Sequence, residues 1–169
     1  MSLTLNILRS YRRPRAVVRG LALGGLREPQ LLFFNALACG LIFVAQWPGL
    51  SRAATLDPSI TLEQRMGGAL FGVMFLLPLM LYGVAGLLQL ALKLGGRPVP
   101  GLWARLALFW SLLAVTPLML MQGGITALLG QTAAAQMFGF VVTGVFLYIL
   151  VQSLREVALL ARGGADASE

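Results

Sequence analysis

The segment that decides the fold is residues 106–154, LALFWSLLAVTPLMLMQGGITALLGQTAAAQMFGFVVTGVFLYILVQSL, which contains no Asp, Glu, Lys or Arg. As a single helix it would be roughly 74 Å long, more than twice the ~30 Å hydrocarbon core of a bilayer. We therefore predict two membrane-crossing helices in this segment. Glycine-containing turn signals at 122–124 and 130–132 mark where the chain can reverse. The piece between them, 125–129, is too short to cross and either extends the third helix or lies at the interface.

Two further stretches without charged residues, 29–51 and 66–92, complete the predicted set of spans. The sequence predicts an all-α fold, a polytopic membrane bundle of four transmembrane helices at about 29–47, 66–92, 102–121 and 134–154. The chain is 58% hydrophobic and 11% charged, whereas soluble domains carry about 25% charged residues. A soluble helical bundle would also need a polar face on its helices. The stretch 66–92 has only Tyr82, Gln89 and glycines to form one.

The basic residues are distributed unevenly around these spans. The chain has 13 Lys and Arg and a net charge of +7. Only Arg52 and Arg65 lie between the first and second spans, and the other basic residues lie in segments predicted on the opposite side. Because basic loops stay in the cytoplasm, this pattern predicts both termini in the cytoplasm. A nucleic-acid partner is not predicted, since it would need a folded basic surface that contacts bases.

The predicted domains are a basic cytoplasmic or interfacial arm at 1–28, a transmembrane domain at 29–154 and a short cytoplasmic tail at 155–169. The arm mixes apolar and basic positions, so we predict an N-terminal amphipathic interfacial helix that attracts anionic lipid. Pro14 suits the first turn of a second short helix. The arm is either a topology anchor, which we favour, or a helix that docks a partner. Its candidate contacts to lipid headgroups or to a partner are Arg9, Arg12, Arg13, Arg15 and Arg19.

Small residues form a stripe along the second span. Gly68 and Gly72 make a GxxxG pattern, and two later glycines continue the same helical face. Small residues let membrane helices approach closely. The stripe is therefore either a homodimer face or an intrachain contact with the first span, and we favour the intrachain contact. The candidate helix-packing residues are Gly68, Gly72, Gly83, Gly86, Ala36 and Gly40.

The composition excludes several kinds of catalytic or metal site. The chain has no histidine and one cysteine, which excludes His/Cys zinc clusters, disulfide frameworks and Ser-His-Asp or Cys-His nucleophiles. Asp57 and Glu63 share one loop, where Thr61 with Gln64 resembles a helix N-cap. Ser59 ahead of Glu63 is the other candidate cap, and either role is favoured over a cation site. We predict no catalytic, cofactor-binding or metal-binding residues, no cofactor and no enzymatic activity.

The turn after the second span has a distinctive pattern. Residues 92–97 are LKLGGR, 104–110 are ARLALFW and 116–118 are TPL, and over roughly 66–121 the chain resembles the bacterial branch of the Yip family, the Ypt/Rab-interacting membrane proteins. The turn motif consists of Gly95, Gly96 and Arg97. The resemblance implies a polytopic protein of the bacterial inner membrane and supplies no catalytic residues. Eukaryotic relatives bind small GTPases through a long N-terminal domain that has no match here, so a small-GTPase partner is not expected.

Two functional hypotheses follow from these patterns. The first is a non-enzymatic integral membrane protein, a membrane-organising, scaffold or accessory subunit that packs with other membrane helices or lipids in a larger complex or homo-oligomer. The alternative is a small oligomeric transporter or permease component for a neutral solute. Pro78 and Pro117, which are predicted to kink the second and third spans, favour this alternative. The central parts of the spans contain no ionisable residue, which disfavours proton coupling.

Overall fold

The computed structural model describes residues 3–130 and 132–166, with the side chains of 164–166 left out of the description. All secondary structure in these residues is helical, which confirms the predicted all-α class. Two short helices precede the spans, and a π-helical turn joins α4 to α5. The elements are α1 Leu3–Arg12, α2 Pro14–Leu23, α3 Glu28–Leu56, α4 Leu62–Phe71, the π turn Gly72–Leu76, α5 Leu77–Leu94, α6 Gly101–Leu129 and α7 Ala133–Asp166.

Four helices in the described residues are long and apolar enough to cross a membrane. The first span is α3, the second is α4, the π turn and α5 together, the third is α6 and the fourth is α7 up to Gly163. The chain is therefore an integral membrane protein, and the prediction of four spans is confirmed.

The helices extend beyond the predicted spans. α3 continues through Pro48 as far as Leu56, and α6 continues through the glycine pair at 123–124, so 125–129 extends the third helix. The chain reverses at Gly130, whose φ of +71° is a conformation that glycine adopts without steric cost. Residues 155–166, predicted as a tail, instead continue α7, and 167–169 lie outside the described residues.

α6 lies at the centre of the bundle, and α3 runs parallel to it. At one end the Glu28 carboxylate pairs with the Arg105 guanidinium. At the other end the Arg52 guanidinium donates to the Ala127 carbonyl over 2.8 Å. The Arg52 contact also supplies a donor for the last carbonyls of α6, which have no partner within the helix.

α5 and α7 run antiparallel to α6. The rings of Tyr82 and Phe109 meet edge to face, with centroids 5.0 Å apart. Ser111 Oγ lies 3.4 Å from Ser153 Oγ where α6 crosses α7. The side chains of α6 are buried without interruption from Leu106 to Thr116. The core of the molecule is therefore the third span, enclosed by the other three.

We call the end of the bundle that carries α1, α2, residues 95–100 and the last turns of α7 the basic end. The opposite end carries residues 57–61 and the reversal at Gly130. There Thr61 Oγ1 accepts from the Gln64 N–H over 3.3 Å, and Gln64 Oε1 accepts from the Thr61 N–H over 3.3 Å. This capping box confirms the predicted N-cap and assigns it to Thr61.

Pro78 acts through the turn that precedes it. Proline has no N–H and clashes with the carbonyl four residues earlier. The helix widens into the π turn Gly72–Leu76, which closes with a hydrogen bond from the Leu77 N–H to the Gly72 carbonyl. Such single π turns are often found at functional sites. The helix is thus widened locally in the turn before Pro78, and the kink at Pro78 stays a prediction.

Candidate functional site

α1 and α2 form a helical hairpin that packs against the basic end of the bundle. Ser10 on α1 is fully buried, and its Oγ accepts from the Trp110 indole N–H over 2.9 Å. Ser10 Oγ also donates to the Asn6 carbonyl over 2.8 Å. The Phe34 ring meets Trp110 edge to face, with centroids 5.4 Å apart. Trp110 therefore joins α1, α3 and α6, and its N–H has the polar partner that a buried indole requires.

α2 lies alongside α7. Arg15 Nε donates to Gln152 Oε1 over 2.7 Å, and Arg19 forms an ion pair with Glu156 at 3.8 Å. From the first pair to the second, the chain advances by four residues on α2 and by four residues on α7. The two helices therefore run in the same direction. The apolar face of α2, including Val17 and Val18, is buried against the bundle.

The tip of the hairpin contacts α6 further from the basic end than Arg105, the one charged residue of that helix. The Tyr11 hydroxyl donates to the Ala114 carbonyl over 2.7 Å, and Ala114 lies roughly 13 Å along the helix from Arg105 at 1.5 Å per residue. Arg12 and Arg13 remain exposed beside this contact. Arginine side chains can lay their stems along apolar surface while directing their charged heads toward the headgroups. The arm is thus a packed part of the bundle, with an exposed basic surface.

The Tyr11 contact lies next to Pro117. Proline removes the hydrogen bond that the Leu113 carbonyl would normally accept, and Thr116 Oγ1 donates to that carbonyl over 2.8 Å instead. Tyr11 then supplies a donor to the next carbonyl along the helix. Burial raises the pKa of the Tyr11 phenol above its ordinary value. The phenol therefore stays protonated, and able to donate, throughout the neutral pH range.

Three of these contact residues, Ser10, Tyr11 and Trp110, were not among the predicted site residues. The prediction treated α1 as a surface helix and considered only its arginines. A usable signal was present, because aromatic side chains with a polar group usually find a hydrogen-bond partner when they are buried.

The predicted glycine contact is not formed. Gly68, Gly83 and Gly86 are exposed, and no atom would lie within 4 Å of a Cβ added at any of the four stripe glycines. Space is also open at Gly40 of the first span, and Ala36 is exposed. The prediction of intrachain packing at these six positions was therefore wrong. The stripe lies on the outer surface because the second span packs on α3 and α6 through other positions, among them Val73, Leu81 and Ala85.

The close approach between helices occurs elsewhere. A Cβ on Gly123 of α6 would collide with the Ala45 carbonyl of α3. The sequence marked Gly123 as part of a turn, and the structure places it inside α6 as a packing residue. Small residues are needed where two membrane helix backbones come this close.

The predicted turn motif does form a turn. Gly96 has φ +69°, and the Arg97 N–H donates to the Leu92 carbonyl over 2.9 Å. This bond ends α5 in the manner of a Schellman motif, which requires a residue in the left-handed conformation. The backbone conformation that ends α5 therefore explains the glycine at position 96 of the turn motif.

The described residues contain no group of three or more His, Cys, Asp or Glu side chains that could hold a metal ion. No family model, no curated protein and no solved structure matches this chain. Functional assignment therefore depends on which surfaces the bundle exposes and on the charges they carry.

Proposed function

We propose that the chain is a non-enzymatic accessory or scaffold subunit of the bacterial inner membrane, similar in role to the Yip family that its turn pattern resembles. In this proposal the second span packs against membrane helices of a larger complex. The basic end faces the cytoplasm, as the positive-inside rule predicts for the uneven arginine distribution, and both termini lie on that side.

The outward-facing glycine stripe carries this proposal. The buried share of the most apolar window is 17% in the second span, against 33% in α3, 28% in α6 and 22% in α7. A Cβ added at Gly68, Gly72, Gly83 or Gly86 would meet no other atom of the chain within 4 Å, so close packing within the chain does not require a glycine at any of them. Glycines in this arrangement allow the backbone of a neighbouring membrane helix to come close.

The permease alternative receives less support. A solute path through one copy of the chain would have to pass α6, whose side chains are buried from Leu106 to Thr116. The π turn at Gly72–Leu76 is the feature that favours the alternative, because such turns are often found at functional sites. It lies in the second span, at the outside of the bundle. A solute path could then form only between two copies of the chain. The permease alternative therefore also depends on a contact at the second span.

The proposal is tested by purifying the full chain in a gentle detergent and identifying co-purifying proteins by native mass spectrometry. A Cβ added at Gly83 or Gly86 would meet no other atom of the chain within 4 Å, so in Gly83→Leu and Gly86→Leu the fold should persist while the partner is lost. Gly144→Leu is the matched control, because Gly144 is also an exposed glycine with open space around it.

Loss of the partner in both stripe variants, but not in the control, supports the proposal. Recovery of the wild-type protein as a monomer without a protein partner contradicts it. A homo-oligomer that is lost in the stripe variants would identify the neighbouring helix as a second copy.

A further inference from the structure

Four arginines converge at the basic end, and only one of them belongs to the predicted lipid-contact set. Arg15, Arg97, Arg155 and Arg162 line a cavity of about 320 Å³ together with Ala158 and Leu159. No acidic side chain that the structure describes lines the cavity. We call this cavity the arginine pocket.

Helix geometry explains two of the four arginines. Arg155 and Arg162 are separated by two turns of α7, so they lie on one face of the helix. Ala158 lies between them on the same face and is buried, with 3% of its surface exposed. Its small side chain leaves room between the two guanidinium groups. The face of α7 therefore supplies the floor and two sides of the pocket.

The remaining two arginines come from separate elements whose positions are held by hydrogen bonds. Arg97 follows Gly96 in the turn after α5, and its backbone N–H donates to the Leu92 carbonyl. Arg15 on α2 donates to Gln152 of α7. The pocket thus exists only when α2, α7 and the turn between α5 and α6 are assembled.

Among the described side chains, no acidic group balances the charge of the pocket. At the basic end Glu28 pairs with Arg105 and Glu156 pairs with Arg19. Among the described side chains, none of Arg97, Arg155 and Arg162 forms an ion pair. An anion bound in the pocket would offset the mutual repulsion of the guanidinium groups.

We propose that the arginine pocket binds a phosphate group, carried by an anionic phospholipid or by a soluble phosphate ester. A guanidinium group presents planar, paired donors that match phosphate oxygens. A tetrahedral phosphate can accept from several directions at once, which suits arginines arriving from three elements better than a planar carboxylate would. Leu159 at the rim is 56% exposed and provides an apolar surface beside the site.

The phosphate site goes beyond the proposed scaffold role, because binding at the basic end does not require a partner at the glycine stripe. The Gly83→Leu variant should therefore bind phosphate as the wild type does. Failure of the scaffold proposal and failure of the phosphate site are thus separately observable.

The test compares the full chain with a double variant, Arg155→Gln with Arg162→Gln. Native mass spectrometry in neutral detergent measures binding of phosphatidylglycerol against phosphatidylcholine. In a second arm, calorimetry measures binding of pyrophosphate to the protein in phosphatidylcholine nanodiscs. We expect preferential binding of at least one of the two phosphate compounds, with a loss of about tenfold or more in the double variant, since hydrogen bonds between charged groups are the strong ones.

The matched control is Arg27→Gln with Lys93→Gln, which removes the same charge from exposed positions outside both the pocket and the predicted lipid-contact set. We expect the control to lose less than about threefold in affinity, because charges outside the pocket act on the bound phosphate only through salt-screened water. Thermal unfolding in the same detergent verifies that both double variants fold.

Binding of phosphatidylglycerol alone identifies a lipid headgroup as the source of the phosphate, and binding of pyrophosphate in neutral nanodiscs identifies a soluble ester. Either result supports the site. Equal losses in the two double variants would show only general attraction to surface charge and would overturn the proposal. Binding of neither compound above the phosphatidylcholine background would also overturn it.

Discussion

The second and third spans are similar in hydropathy but differ in how far their side chains are buried. The mean hydropathy of their most apolar windows is 2.1 for the second span and 1.8 for α6, and each contains an internal proline. α6 is buried from Leu106 to Thr116, whereas few side chains of the second span are buried in the chain. Hydropathy therefore governs whether a helix enters the membrane and does not determine its place within the bundle. Lipid tails are as apolar as leucine, so helix position depends on packing and hydrogen bonds instead.

The largest expected difference between the two spans comes from a matched leucine truncation. Leu113 on α6 has 0% exposure, and Leu79 on the second span is 72% exposed. Leu113→Ala should destabilise the fold by about 2–5 kcal/mol, because it leaves a cavity in the core. Leu79→Ala should change stability by only about 0.5 kcal/mol, as at other surface sites. Equilibrium unfolding in mixed micelles measures both, and equal losses would contradict the central position of α6.

The next effect concerns the hydrogen bond from the hairpin to α6. Tyr11→Phe removes the donor to the Ala114 carbonyl and should cost about 1.5 kcal/mol, the upper end of the net contribution of a typical hydrogen bond. Tyr148→Phe is the control, because the Tyr148 hydroxyl makes no hydrogen bond among the described residues. Thermal unfolding and protease sensitivity of the arm provide the measurement. An unchanged arm in Tyr11→Phe would show that apolar contacts alone hold the hairpin.

A smaller effect is expected at the far end of α6. Arg52→Gln removes guanidinium donors from the Ala127 and Leu128 carbonyls and should cost about 1 kcal/mol. Hydrogen exchange at 127–129 should accelerate relative to an Arg9→Gln control. Unchanged protection there would mean that α6 ends without help from α3.

The smallest effect lies at the start of the second span and depends on pH. Hydrogen bonds from Ser59, followed by the neighbouring Arg65, hold the pKa of the Asp57 carboxyl below its ordinary value. The stabilisation is therefore present above the unfolded pKa and is lost as pH falls through the folded pKa, below about pH 4. Asp57→Asn should make the melting temperature less dependent on pH in that range. An identical pH profile in the variant would contradict this role.

The sequence predicted the helices more accurately than their ends. Charge-free length identified the four spans, and the Thr61 cap followed from a local pattern that involves only neighbouring residues. The ends were misjudged at Pro48 and at the glycine pair 123–124, where the signals used to break a helix are those of soluble proteins. In lipid the backbone must satisfy its hydrogen bonds internally, so helices continue through such residues.

The candidate site was predicted less well. The five arm arginines lie on an exposed basic surface, as an amphipathic helix suggests, but the contacts that position the arm were missed. Ser10 meets Trp110 across 100 residues of sequence, and no local pattern reports a pairing of that separation. The glycine stripe was assigned to the wrong neighbour for the same reason, since a period along one helix does not specify which helix faces it.

The sequence by itself determined that the chain is a four-span membrane protein and separated its basic residues into two groups, because both properties depend only on local composition and transfer into lipid. Tertiary structure alone decided that α6 forms the core, that the glycine stripe points outward and that Arg15, Arg97, Arg155 and Arg162 line one pocket. Those features depend on which helices contact each other and on how far they are shifted along their axes. In a membrane, that choice is made by close packing and specific hydrogen bonds between residues distant in the sequence.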